Sequence, residues 1–131
     1  PPYAIIAKSK GICIETDTHE KLSICYPLPM IKKVISNLLA NAVSYTPKGG
    51  SIKIYIENQN LIFENECVPI PQKYLTHIFE PFYRPEYGRS PDTGGNGLGL
   101  YIVDTILKTL QIPYTFAAIE DNSGMRFTIE F

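Results

Sequence analysis

The sequence predicts an α+β protein folded as a two-layer sandwich, strands in one layer and helices in the other. Three observations carry this. The stretch from Leu28 to Tyr45 repeats apolar residues at helical spacing, and several short segments alternate apolar with polar side chains, the strand period. The two kinds are mixed without regular strand–helix–strand alternation, which argues against a doubly wound parallel sheet.

At 131 residues the chain fits one domain, 1–131, long enough to bury a core. A hydrophobic share of 44% and a charged share of 19% are ordinary for a globular protein. The net charge of −1 argues against a nucleic-acid partner, which needs a basic face. No apolar run approaches the roughly 20 residues of a membrane span, so no direct membrane contact is expected of this segment. The chain opens on Pro1-Pro2 in place of a methionine, so we expect a domain excised from a longer, membrane-anchored parent. Cys13, Cys25 and Cys67 are odd in number and lack CxxC spacing. They read as buried, reduced thiols, which favours a cytoplasmic setting.

Taken in order, Pro1 to Lys10 predicts a short helix stopped by Gly11. Gly11 to Asp17 alternates through Ile12, Ile14 and Thr16 and predicts a strand; Lys21 to Tyr26 predicts a second, after a Thr18-His19-Glu20 turn. Leu28, Ile31, Val34, Ile35, Leu38, Leu39, Ala42 and Tyr45 mark the clearest helix, ended by Thr46-Pro47-Lys48-Gly49-Gly50. Ser51 to Glu57 and Leu61 to Glu66 predict a hairpin across Asn58-Gln59-Asn60. Pro71 to Ile78 predicts a short helix with proline in its first turn. Tyr83 to Asn96 has almost no aliphatic side chains and predicts a mobile surface loop. A helix from Gly97 to Gln111 and a hairpin of Tyr114–Ile119 with Arg126–Phe131, turning at Asp121-Asn122-Ser123-Gly124, complete the chain.

Two segments point to chemistry. Asn37 and Asn41 lie one helical turn apart at the border of the apolar stripe, and Tyr45 continues that edge. A carboxamide oxygen there can ligate Mg²⁺, a hard cation that takes oxygen ligands. Equally, an isolated helical asparagine commonly bonds nearby backbone. Gly94-Gly95-Asn96-Gly97-Leu98-Gly99-Leu100 is the second segment. It fits neither GxGxxG, because Leu100 occupies the last glycine position, nor a Walker A loop, because no Lys-Ser/Thr follows. Its glycines still let backbone N–H groups approach an anion beside a helix N-terminus. A flexible loop ending in a helix explains it as well.

With Phe79 to Arg84 between them, these segments resemble the catalytic ATP-binding domain of two-component sensor histidine kinases. Asn37 to Tyr45 is similar to the N box, Phe79 to Arg84 to the F box, and Gly95 to Leu100 to the second glycine box. The details resemble Gram-positive kinases of the VanS or lantibiotic-sensing type. The resemblance spans Pro27 to the C-terminus. It implies the Bergerat-type fold: a mixed sheet of about five strands backed by helices, with an ATP lid at about 83–96. It also implies ATP and Mg²⁺ as ligands, Asn41 as the metal ligand and Tyr45 near the adenine. Asn65, Ile70, Phe79, Gly95, Gly97, Leu98, Gly99 and Leu100 would complete the nucleotide site. The partners implied are a phosphoacceptor/dimerisation domain of the same kinase and a response regulator, with this domain alone a monomer.

The chain departs from the family pattern twice. The first glycine box, Asp-x-Gly-x-Gly in relatives, reads Asn65-Glu66-Cys67-Val68-Pro69 before Ile70-Pro71. The family's aspartate accepts a hydrogen bond from the adenine amino group. Asn65 accepts without charge assistance, which weakens the contact by about 1 kcal/mol. Ser44 stands where many relatives carry lysine, so phosphate neutralisation is expected from Arg84, Arg89 and Lys48.

Related ATPases carry glutamate at the Asn37 position as the base for water. An amide accepts no proton at neutral pH, so fast hydrolysis is disfavoured and a kinase is favoured, with Arg84 and Arg89 assisting transfer. His19 and His77 lack the context of a phosphoacceptor helix, so the acceptor histidine is expected on another segment of the parent. The alternatives are a degenerate nucleotide-binding or docking module and, less well matched, an anti-sigma-factor-like serine kinase.

Overall fold

The computed structural model describes residues 2–17, 19–83 and 98–131. Arg84, Arg89, Gly95, Gly97 and nearly all of the expected lid lie outside them. Among the described residues one sheet of five strands carries the fold, in the order β1-β2-β3-β5-β4. Its strands are β1 (Cys13–Asp17), β2 (Ser51–Glu57), β3 (Asn60–Glu66), β4 (Tyr114–Ala118) and β5 (Gly124–Glu130). β1 runs parallel to β2 and every other pair is antiparallel, so the sheet is mixed.

Register decides which residues face the helices. Ile54 pairs with Phe63, Phe63 with Phe127, and Phe127 with Phe116, so these share one face. Ile52, Met125 and Ile129 lie on the same face and are almost wholly buried. That face is covered by α2 (Leu28–Tyr45) and α4 (Gly99–Thr109), which pack against each other. Val34 and Leu38 of α2 and Leu100, Val103 and Leu107 of α4 join Phe63, Phe127 and Ile129 in the main core. The helix α1 (Pro2–Lys10) lays Ala7 against Ala42, Val43 and Ile52. It ends at Gly11 (φ +65°), where Ile12 N–H bonds the Ala7 carbonyl at 3.0 Å.

The β2–β3 turn is tighter than expected, with only Asn58 (φ +51°) and Gln59 (φ +68°) between the strands. The short helix α3 covers Gln72–Leu75 rather than reaching Ile78.

Two expectations fail. Lys21 to Tyr26 forms no strand. Its alternation has a real cause, since Leu22 and Ile24 are half-buried, Ile24 packs against the core, and the Tyr26 ring lies 6.1 Å from that of Phe131. Side-chain burial is met there without a ladder. Of the cysteines only Cys67 is buried; Cys13 and Cys25 are exposed.

Candidate functional site

The N-terminal half of α4 lies against α2 at Asn37. Both Asn37 and Asn41 are half-buried, at the border that helical spacing assigns them. Asn37 Nδ2 donates to the Lys33 carbonyl at 2.8 Å, the backbone bond that a purely structural asparagine also makes. Its Oδ1 is left facing α4: a Cβ on Gly99 would lie 3.3 Å from it. Glycine at 99 therefore keeps a space between the carboxamide and the start of the helix.

That helix start is prepared for negative charge. Leu98, the N-cap residue, gives no side-chain cap, and the first turn holds no acidic residue. The first helical bond runs from Ile102 N–H to the Leu98 carbonyl at 2.9 Å. The N–H groups of Gly99, Leu100 and Tyr101 thus have no partner inside the helix. Such a terminus attracts phosphate oxygens through its N–H groups and dipole. Leu100 is buried in the core and anchors this turn, while Leu98 is half-buried.

Towards its C-terminal end α2 passes over β3. Tyr45 is 5% exposed and shares the core with Cys67, Ile70 and Met125. Asn65 points to the same side, paired in register with Ile52 and Met125, and is itself only 7% exposed. Its Nδ2 is buried, with no hydrogen-bond partner of ordinary geometry among the described residues. Ile70 is buried, and its N–H points at Met125 Sδ at 3.4 Å, which ties the loop after β3 to β5. Burial pushes the Cys67 thiol up, with Asn65 and the Met125 backbone acting against it.

Phe79 is an anchor. Its ring meets those of Tyr114, Phe116 and Phe127 edge-on at 5.5, 6.2 and 6.4 Å, which fixes the F box to β4 and β5. Three residues later Phe82 is exposed at a positive φ of 64°, a conformation unusual for a bulky side chain. Tyr83 is half-buried, its ring 5.7 Å from that of His77, whose Nδ1 lies 2.5 Å from Glu80 Oε2.

Lys48 stands at the Tyr45 end of α2, away from the start of α4. It is exposed in the turn after α2, the end of which lies about 12 Å along the helix from Asn37. There it depresses the Lys10 pKa, after burial, and lines a surface cleft of about 520 Å³ with Glu66, Cys67, Val68 and Asn122. The structure brings together Asn37, Leu98, Gly99 and Leu100 at one end, and Tyr45, Asn65 and Ile70 at the other, with Asn41 between them on α2. Sequence reasoning overlooked Met125 and Gly124; Gly124 carried a turn signal, Met125 none.

Residues 28–131 match the family described as histidine kinase-, DNA gyrase B- and HSP90-like ATPase. The chain belongs to this family. It is 35% identical over 127 residues to the sensor histidine protein kinase HK06 of Streptococcus pneumoniae, covering 97% of this chain and 28% of that protein. It is 32% identical to the sensor protein VanSB of Enterococcus faecalis, covering 99% of this chain and 30% of that one. Among solved structures it resembles the catalytic domain of histidine kinase ThkA, with TM-score 0.76 and 28% identity over 98% of this chain and 83% of that one. The chain spans less than a third of the length of these curated relatives. It is an ATP-binding catalytic domain of the sensor histidine kinase type, and the α+β sandwich expected from sequence is the fold of that type.

Proposed function

We propose that this domain binds ATP with Mg²⁺ between α2 and the start of α4. It passes the γ-phosphoryl group to a histidine on a phosphoacceptor/dimerisation domain of the same parent, for relay to a response regulator. The observation that carries the reading is the Asn37 oxygen facing Gly99 at an uncapped, acid-free helix start. The parent is a membrane-anchored sensor with this domain on its cytoplasmic side. Among the described residues no helix is long and apolar enough to cross a membrane.

The donor set fits magnesium. Among the described residues there is no cluster of three or more His, Cys, Asp or Glu side chains, as a dedicated protein cage would need. One amide oxygen from Asn41, completed by phosphate and water oxygens, would give Mg²⁺ the all-oxygen set that a hard cation takes. When bound, the ion neutralises phosphate charge. The chain supplies the rest. The N–H groups at the start of α4 hold phosphate oxygens, Asn65 and Tyr45 receive the base, and Arg84 and Arg89 offset charge on the transferred group. Asn37 cannot act as a base for water, so the phosphoryl group is kept for the histidine.

Calorimetric titration with ADP and a non-hydrolysable ATP analogue, with and without Mg²⁺, tests this. Binding should strengthen with Mg²⁺, and Asn41→Ala should lose that gain. No binding at millimolar nucleotide would overturn the proposal in favour of a docking module.

A further inference from the structure

We infer that Asn65 makes the base pocket accept 6-oxopurine as well as 6-aminopurine nucleotides. The inference rests on the nucleotide-binding reading above and deepens it.

Asn65 is 93% buried on the helix-facing side of β3, flanked in register by Ile52 and Met125, which are themselves sealed from water. Among the described residues its Nδ2 has no hydrogen-bond partner of ordinary geometry. Its near polar neighbour is the Cys67 thiol, whose pKa burial pushes up and the Asn65 side chain pulls back down; a protonated sulfur is too weak an acceptor to satisfy an amide N–H. Native folds rarely leave a buried N–H donor unmet, because water that would have satisfied it has been removed. A ligand acceptor placed against this amide removes the deficit.

The side chain's chemistry sets which ligand. A carboxylate at this position only accepts, so it favours the 6-amino group of adenine and repels the 6-oxo group of hypoxanthine or guanine. A carboxamide carries one acceptor and one donor side by side, the same pair an asparagine uses on a purine edge. Facing adenine, Oδ1 accepts from the 6-amino group and Nδ2 donates to N1. Turned over about its terminal bond, the same amide donates from Nδ2 to the 6-oxo group while Oδ1 accepts from N1–H. Both edges are matched with two hydrogen bonds.

The test compares ADP with IDP, which differ at position 6 and N1 and share position 2, so the guanine 2-amino group does not enter. Calorimetry in Mg²⁺ should give dissociation constants within about tenfold of each other for the unaltered domain. Asn65→Asp alters the base contact itself: the 6-amino group of ADP gains a charge-assisted acceptor, so ADP should bind at least as tightly and the ratio should widen by at least about a hundredfold at the expense of IDP. The inference is overturned if the unaltered domain binds ADP while rejecting IDP by more than about a hundredfold, or if a folded Asn65→Asp leaves the ratio unchanged. Those results leave the nucleotide reading intact; failure of both nucleotides to bind removes that reading and this inference together. The ratio for the unaltered domain needs no variant, so misfolding of Asn65→Asp cannot blunt the test.

Discussion

The Asn37 Oδ1 oxygen stands 3.3 Å from the point a Gly99 Cβ would occupy, while the same amide's Nδ2 is held by the Lys33 carbonyl at 2.8 Å. The amide cannot swing away from Gly99 without giving up that bond. Two distant sequence motifs are thereby set side by side: the carboxamide on α2 and the glycine-bordered start of α4. The core beneath makes the register stiff, since Val34 and Leu38 of α2 meet Leu100, Val103 and Leu107 of α4 in one buried cluster.

Gly99→Ala should separate binding from stability. Alanine favours a helix interior over glycine by about 0.5–1 kcal/mol, but at this first helical position the crowding at Asn37 offsets that gain, so melting temperature should change little. The added methyl crowds Asn37 Oδ1 and narrows the approach to the first N–H groups of α4. Nucleotide affinity should fall severalfold in calorimetry. An alanine variant that binds as tightly as the parent would show that this space is not used.

Gly124→Ala should be severely destabilising. Its Cβ would lie 1.9 Å from the Asn65 carbonyl oxygen and 2.9 Å from that carbonyl's carbon, both backbone atoms that no rotamer change can move. The β3–β5 ladder must part at the pair Glu66–Gly124, beside Asn65. A loss of at least about 3 kcal/mol in urea denaturation is expected. A variant within about 1 kcal/mol of the parent would mean the strands can separate there cheaply.

Much of this was legible in the sequence, and the boundary has physical causes. The long helix was visible because eight apolar positions keep one period from Leu28 to Tyr45, with proline and glycine marking its end. The hairpins were visible through alternation and turn residues. The false strand at Lys21–Tyr26 shows where alternation misleads: it reports a half-buried face and says nothing about a ladder partner. Cysteine exposure was misjudged because β1 lies at a sheet edge, where Cys13 meets solvent. Met125 was missed because its contact with Ile70 joins residues far apart in the chain, which no local pattern encodes.

On the outer face of the sheet, Arg126 joins two carboxylates unequally. Its Nε bonds Glu64 Oε2 at 2.7 Å, an oxygen that also accepts from Tyr55 Oη at 2.9 Å; its other arm meets the exposed Glu120 at 2.7 Å. Glu64 is half-buried, so losing its cation leaves charge poorly hydrated. Arg126→Gln should therefore destabilise the domain measurably, by about 1 kcal/mol, whereas Glu120→Gln should change little because that pair is solvent-screened. Equal effects in denaturant titrations would contradict this ranking.

Alkaline pH should weaken the fold, and Tyr114 should account for part of the slope. Its hydroxyl is half-buried and donates to Asp104, which also takes Lys108 at 3.1 Å. Burial, then the bond and charge of Asp104, push its pKa well above the ordinary 10.0. Above pH 10 the unfolded chain releases a proton that the folded chain keeps, so stability is full below that pH and falls as pH rises towards the folded value. Cys67, raised from 9.0 by burial, starts the same trend earlier, and Tyr55, raised by burial and Glu64, adds to it. Lys10 opposes them: burial and Lys48 lower its pKa, so the folded chain gives up its proton first and stability gains slightly below pH 10.5. With three groups against one, denaturant midpoints should decline from about pH 9 upward. Tyr114→Phe should start lower, having lost the bond to Asp104, and decline less steeply above pH 10. Parallel curves for the two proteins between pH 9 and 11 would remove Tyr114 from the account.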